Sequence, residues 1–129
     1  MPNAVAMKVL VVDDQNSVRQ MTRITLEQIG IRHIREAENG VTAMETASLQ
    51  PLDLIISDYN MPEMDGLALL RAVRGHPVAR KVPFILLTGR GDRELVVKAA
   101  NAGVNNYLIK PFTADTLRQK IEQVVGKLS

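Results

Sequence analysis

Residues 9–12, 54–56 and 84–87 are unbroken apolar runs of Val, Leu, Ile and Phe. A run this short, closed by polar residues and without alternation, suits a strand covered on both faces, since helices need roughly ten residues or more. Between the runs lie segments of helical period: 16–29 closed by Gly30, 66–74 closed by Gly75, and one from Asp92 or Arg93 to 101 closed by Gly103. Strands that alternate with amphipathic helices predict a parallel sheet with helices on both faces, because strand–helix–strand units cross over in one hand.

Extended over the chain, this pattern predicts strands at 8–12, 33–36, 52–57, 82–87 and 106–109. The 33–36 strand is short and polar, as at a sheet edge. Helices are predicted at 16–29, 41–49, 66–74 and 93–101, and a last one is opened by Thr113 as N-cap and carries Leu117, Ile121, Val124 and Leu128 nearly to the C-terminus. In the first helix Val18, Met21, Thr25 and Ile29 form the predicted core stripe, flanked by Ile24 and Leu26. The fold class is α/β: a doubly wound, five-stranded parallel sheet with five helices.

A chain of 129 residues with 46% hydrophobic and 23% charged residues has enough apolar material for one ordinary core. With no repeat or linker in it, the expectation is a single domain over 1–129 without an output domain. The absence of cysteine excludes disulfides, thiolate metal sites and a cysteine nucleophile. No apolar run approaches the roughly 18 residues of a membrane span, and no signal peptide is evident, so a cytoplasmic location with no membrane association is expected. Residues 1–65 carry a net charge of −5 and residues 66–129 of +7. The bases are scattered singly, and two Phe and two Tyr offer little stacking surface, which argues against nucleic acid as a partner.

In open α/β sheets the site forms beyond the carboxyl ends of the strands. The residues placed there are Asp13 and Asp14, Asp58, Thr88 and Lys110, from strands one, three, four and five. Like charges 4 Å apart repel by about 4 kcal/mol at an effective dielectric of 20, so three carboxylates need cations. Lys110 supplies one, and the remainder suits Mg²⁺, which takes one or two carboxylates and keeps several waters. Either Asp13 or Asp14 taken alone is equally explained as a helix cap, but capping does not account for the matching groups on three other strands. The set is consistent with phosphoryl transfer onto a carboxylate, with Asp58, at the end of the central strand, as nucleophile.

These residues, together with Val11-Val12-Asp13-Asp14, the segment 58–66 (DYNMPEMDG), Leu87-Thr88 and the segment 107–112 (YLIKPF), strongly resemble the receiver domains of two-component response regulators, and among them the stand-alone chemotaxis regulators. The resemblance covers residues 7–128. It implies the flavodoxin-like strand order 2-1-3-4-5 and a phosphoryl group received by Asp58 from a phosphohistidine of a histidine sensor kinase, a chemotaxis kinase in the first place. It further implies Mg²⁺ held by Asp13, Asp14, Asp58 and the Asn60 main-chain carbonyl, one of the two leading acids acting through water. Lys110 would pair with Asp58 and then with the phosphoryl group, preceding Pro111 through a cis peptide bond. Thr88 would be the switch hydroxyl and Tyr107 the aromatic that turns inward behind it. The implied output is docking of the flagellar-motor switch, or another effector, on the last two helices and fifth strand, where Arg93, Lys98, Tyr107, Arg118, Lys120 and Lys127 lie; a monomer is expected.

The sequence departs from that pattern at Gly89-Arg90, where Ala and often an acid are usual, with a consequence for phosphoryl lifetime. Tyr59 replaces the usual Trp. Met61, Pro62, Met64 and the Asp65-Gly66 pair read as residues that shape the loop under Asp58, and His33 and His76 as surface residues. Arg90-Gly91-Asp92 spells an adhesion tripeptide without a fitting context. Two other readings stay open: a phosphorelay intermediate or phosphate sink in the same fold, and a phosphate-ester hydrolase, which Asn60 disfavours because the second acid of such enzymes would stand there.

Overall fold

The computed structural model describes residues 3–89 and 93–129, so the expectations attached to Arg90, Gly91 and Asp92 lie outside the described residues. Strands form where the apolar runs predict them: β1 (Lys8–Val12), β2 (His33–Ala37), β3 (Leu54–Asp58), β4 (Phe84–Thr88) and β5 (Asn106–Ile109). The helices are α1 (Asn16–Ile29), α2 (Gly40–Leu49), α3 (Gly66–Gly75), α4 (Arg93–Asn101) and α5 (Ala114–Val125). All strands run parallel in the order β2-β1-β3-β4-β5, as the resemblance implies, with the polar β2 at an edge.

Strand parity divides the core in two. Val9, Val11, Leu54, Ile56, Ile85 and Leu87 pack with Leu26, Leu117 and Ile121 of α1 and α5. Leu10, Val12, Ile55, Phe84 and Leu86 pack with Ala43, Leu70, Val73 and Ala99 of α2, α3 and α4. Each such side chain contributes roughly 1.5–3 kcal/mol by leaving water, so a one-residue register slip, which would exchange the faces, is strongly disfavoured.

Several boundaries differ from the expectation. β3 and β4 start two residues later and end one residue later than the predicted strands at 52–57 and 82–87. Pro83 has no N–H to give a ladder, and Asp53 lies exposed with its carboxylate on the Lys8 N–H at 2.8 Å. Asp58 and Thr88 are therefore the last residues of their strands. α5 stops at Val125, where Gly126 has φ 94°, so Leu128 and Lys127 are not helical. Leu128 is instead buried against the α1/α5 core, its N–H donating to Glu122 Oε2 at 2.8 Å.

The phase of α1 is also corrected. Its buried residues are Thr22, Leu26 and Ile29, whereas Met21 is 66% and Ile24 49% exposed. Thr22 reaches the core because its hydroxyl donates to the Val18 carbonyl, which leaves the methyl to pack. The neighbouring Arg19 and Arg23 turn toward Glu36 on β2, each 2.8 Å from one of its oxygens. Burial would raise the Glu36 carboxyl, but the hydrogen bonds and charges of the two arginines outweigh it and hold the group below its ordinary value. An acid depressed in the folded state stabilises above its unfolded value of 4.5 and loses that contribution as pH falls through the folded value. Glu36→Gln is thus expected to cost about 1 kcal/mol at neutral pH, with the difference closing in acid. Urea midpoints of both proteins across pH 7 to pH 3 measure it, and a pH-independent gap would refute the ion-pair account.

Candidate phosphoryl-accepting site

The β1–β3 register sets Val12 opposite Ser57, so Asp13 and Asp58 emerge side by side. Asp13 (2% exposed) and Asp58 (5%) are buried and Asp14 is exposed. Oxygens of the three carboxylates come within 4.8 Å of one another. Lys110 follows β5, its N–H on the Thr88 carbonyl at 2.8 Å, and its Nζ reaches Asp58 Oδ1 at 2.8 Å. The Lys110–Pro111 peptide bond is cis. Thr88 (3% exposed) ends β4 beside this pair, and among the described residues nothing beyond its chain neighbours comes within 4 Å of where a Gly89 side chain would begin. The expected residues are therefore brought together, and Asn60 lies exposed two residues beyond Asp58.

The donor set fits a hard divalent cation. Asp13 Oδ1 accepts the Gln15 N–H at 2.9 Å, but Oδ2 is buried and without a hydrogen-bond partner. Burial raises the Asp13 carboxyl, and the charges of Asp58 and Asp14 add to it, opposed by the Gln15 N–H and by Lys110. One ammonium among three carboxylates leaves net negative charge, which a cation with oxygen ligands offsets.

The loop under Asp58 is shaped as expected. Asp65 caps α3, accepting the Ala68 N–H at 2.8 Å. A Cβ on Gly66 would meet the Asp58 main-chain oxygen, Leu86 Cδ1 and Tyr59 Cα, so only glycine lets α3 start this close to the acceptor. Met64 lies against Gly40 at the start of α2. His76, by contrast with a plain surface role, accepts the Val78 N–H on Nδ1 at 3.1 Å and orders the turn after α3.

Tyr107 pairs with Leu86 across β4–β5 and so shares a face with Thr88, one row below it. Its ring is half-buried, with Lys120 Nζ 5.1 Å from the centroid. Of the other expected docking bases, Lys98 pairs with Glu94 at 3.3 Å and Arg118 with Glu122 at 3.6 Å.

Two positioning residues escape a sequence reading. Arg19 donates to the Asp13 carbonyl at 2.7 Å as well as to Glu36, tying the acid-bearing loop to β2. Arg74 donates to the carbonyls of Gly103, Arg80 and Val82 and to Asn105 Oδ1, joining α3 to the segments that flank β4 and β5. Their signals are in the three-dimensional position of main-chain acceptors, to which no motif points.

Comparison with known proteins agrees with this geometry. The family model described as response regulator receiver domain matches residues 9–122. A probable chemotaxis protein CheY of Rhizobium etli is 47% identical over 121 residues, 94% of each chain. The solved structure of chemotaxis protein CheY4 of Vibrio cholerae superposes with a TM-score of 0.85 at 36% identity, covering 92% of this chain and 98% of its own. The receiver domain of a sensor histidine kinase from Pseudomonas aeruginosa, solved with a magnesium ion coordinated in its active-site cleft, superposes at 0.80 with 28% identity, covering 95% and 100%.

Proposed function

The chain belongs to the response regulator receiver domain family, and we propose that it is a chemotaxis switch that receives a phosphoryl group from a histidine kinase on Asp58 and then binds the flagellar-motor switch. The observation that carries the reading is the Asp58–Lys110 pair at 2.8 Å beside Asp13 and Asp14. In the reaction an Asp58 carboxylate oxygen forms a bond to phosphorus as the bond to the kinase imidazole nitrogen breaks, and the imidazole leaves with the electron pair. Asp13, Asp14, Asp58 and the Asn60 carbonyl would hold Mg²⁺, which when bound would neutralise phosphoryl charge. Lys110 holds the Asp58 carboxylate beforehand and the phosphoryl oxygens afterwards. Thr88 turns its hydroxyl to the same oxygens. Hydrolysis by water returns the carboxylate, so the chain catalyses its own loading and unloading and remains a switch.

Phosphorylation adds about −1.5 to −2 charges at the carboxyl ends of the strands, which draws Lys110 and Thr88 inward and vacates space into which Tyr107 moves. Tyr107 and the bases Arg93, Lys98, Arg118 and Lys120 form the docking face. The ion pairs of Lys98 and Arg118 are exposed intrahelical contacts worth about 0.3–0.5 kcal/mol each, too little to withhold these side chains from a partner. Among the described residues no helix is long and apolar enough to cross a membrane. We place the protein in the cytoplasm, as a monomer and a single receiver unit over 1–129.

Affinity capture from host lysate, with Mg²⁺ and beryllofluoride as phosphoryl mimic beside an untreated control, tests the output. A motor switch protein enriched only on the activated protein is the expected result. Recovery of kinase or phosphotransfer proteins alone, irrespective of activation, would replace the motor reading by a relay or phosphate sink.

A further inference from the structure

At the opposite pole, where β1 and β2 begin, lies a cleft of about 360 Å³ lined by Lys8, Arg32, His33, Arg35, Gln50 and neighbouring apolar residues. Lys8 and His33 are paired across the sheet, and His33 and Arg35 share one face of β2, so three of these side chains project on the side of α2. The five bases of residues 1–65 are Lys8, Arg19, Arg23, Arg32 and Arg35. Arg19 and Arg23 both pair with Glu36 on the other face of β2. Among the described residues the remaining three have no ion pair, and all three line this cleft. Among the described residues no acid lines it; of the two acids adjacent in sequence to its lining, Asp53 directs its carboxylate to the Lys8 main-chain N–H and Glu36 lies on the other face of β2 with Arg19 and Arg23.

Such segregation is unexpected in a half of the chain that carries ten acids and only five bases. Three like charges around one opening repel, and an anion of matching charge removes that repulsion. We propose that this cleft is a binding site for a small oligophosphate anion. Two or three linked phosphoryl groups carry about the charge of Lys8, Arg32 and Arg35 together, and two guanidinium groups offer bidentate donors to phosphate oxygens. The Gln50 amide and the His33 ring add further N–H donors on the same rim. The C-terminal end of α2 also borders the cleft and opposes an anion, but by the equivalent of about half a charge against three full ones. The volume lies at the lower end for small-ligand pockets, roughly 300–1,000 Å³, which suits pyrophosphate or a nucleoside diphosphate. The β1 strand separates this site from the acid cluster by about 13 Å of rise, so the two anionic chemistries occupy opposite ends of the sheet.

The test titrates sodium pyrophosphate, and separately ADP, into the isotope-labelled full chain without Mg²⁺ at about 0.15 M salt, the ionic strength at which weak surface attraction is largely screened. Amide shifts at Val9, His33, Arg35 and Gln50 that saturate with Kd near or below about 1 mM are expected. The double substitution Arg32→Gln, Arg35→Gln, at two exposed positions, is expected to weaken binding at least about tenfold while leaving distant amide shifts unchanged. Tighter binding of ADP identifies a nucleotide as the source of the phosphates, and equal binding a free oligophosphate; both support the site. Shifts that do not saturate, shifts confined to Asp13, Asp58 and Lys110, or equal affinity in the double variant would overturn it. So would a poly-glutamate peptide that saturates the same amides when neither phosphate does.

Discussion

Asp58→Asn is expected to take up no phosphoryl group from acetyl phosphate and Mg²⁺, whereas the unaltered chain gains the mass of one. Three carboxylates share the site, and the geometry distinguishes them. Asp13 has one oxygen engaged by the Gln15 N–H and is buried at the rear of the cluster. Asp14 is exposed and has no ion pair among the described residues. Asp58 alone combines burial with the ammonium of Lys110, at 2.8 Å, which is placed to take over the transferred charge. Asparagine fills the same volume but offers an amide with no anionic oxygen to attack phosphorus, so the loss is of chemistry and not of shape. The substitution also removes one of three mutually repelling charges, so the folded protein persists and the absence of label is interpretable. Intact-mass measurement of both chains under the same conditions gives the answer, and stoichiometric label on the variant would move the acceptor elsewhere in the cluster.

The parts of this site that the sequence made legible are those written in local runs. A strand covered on both faces is a block of apolar residues, and the block ends where the polar site begins, so Asp13, Thr88 and Lys110 announce themselves as the first polar residues after Val12, Leu87 and Ile109, and Asp58 as the first charged residue after the run that ends at Ile56. The N-cap Thr113 was readable for the same reason, since its bond goes to Thr116 three residues on, whereas Asp65, read as a turn residue, proves to cap α3 through the Ala68 N–H. What failed was phase on the half-polar α1. Placing Met21 on the core stripe with Val18, Thr25 and Ile29 follows helical spacing, but spacing cannot see the Thr22 hydroxyl satisfied by its own helix or two arginines drawn round to Glu36 on the next strand. Arg74 escaped because its acceptors are main-chain carbonyls dispersed over residues 80–103, whose convergence exists only once α3 has packed. The bases at the far pole escaped likewise: Lys8 and Arg35 are 27 positions apart and become neighbours through strand pairing.

Asp13→Asn is expected to act in opposite directions on metal binding and on metal-free stability. In its ionised form the Asp13 carboxylate costs the folded state free energy, first through its burial and then through the charges of Asp58 and Asp14. Neutral asparagine removes that cost, keeps an oxygen for the Gln15 N–H, and directs an amide donor toward the remaining carboxylates. The gain is set at about 1 kcal/mol, or roughly 3–6 °C in Tm for a chain of this size. An acid raised in the folded state opposes stability above its folded value, so the advantage of the variant is full above that value. It fades as the pH falls through that value, because the Asp13 of the unaltered chain then becomes neutral too. With Mg²⁺ the order reverses. The Asp13 oxygen without a hydrogen-bond partner is the one placed to ligate a divalent cation, and its loss is expected to weaken Mg²⁺ binding by at least about tenfold. Since a ligand stabilises in proportion to the logarithm of its concentration over Kd, saturating Mg²⁺ raises the melting temperature of the unaltered chain more than that of the variant. Melting curves of both proteins with chelator and with Mg²⁺ separate the two effects. A metal-free Tm that falls would refute repulsion as the dominant force on Asp13, and an unchanged Mg²⁺ affinity would remove Asp13 from the ligand set.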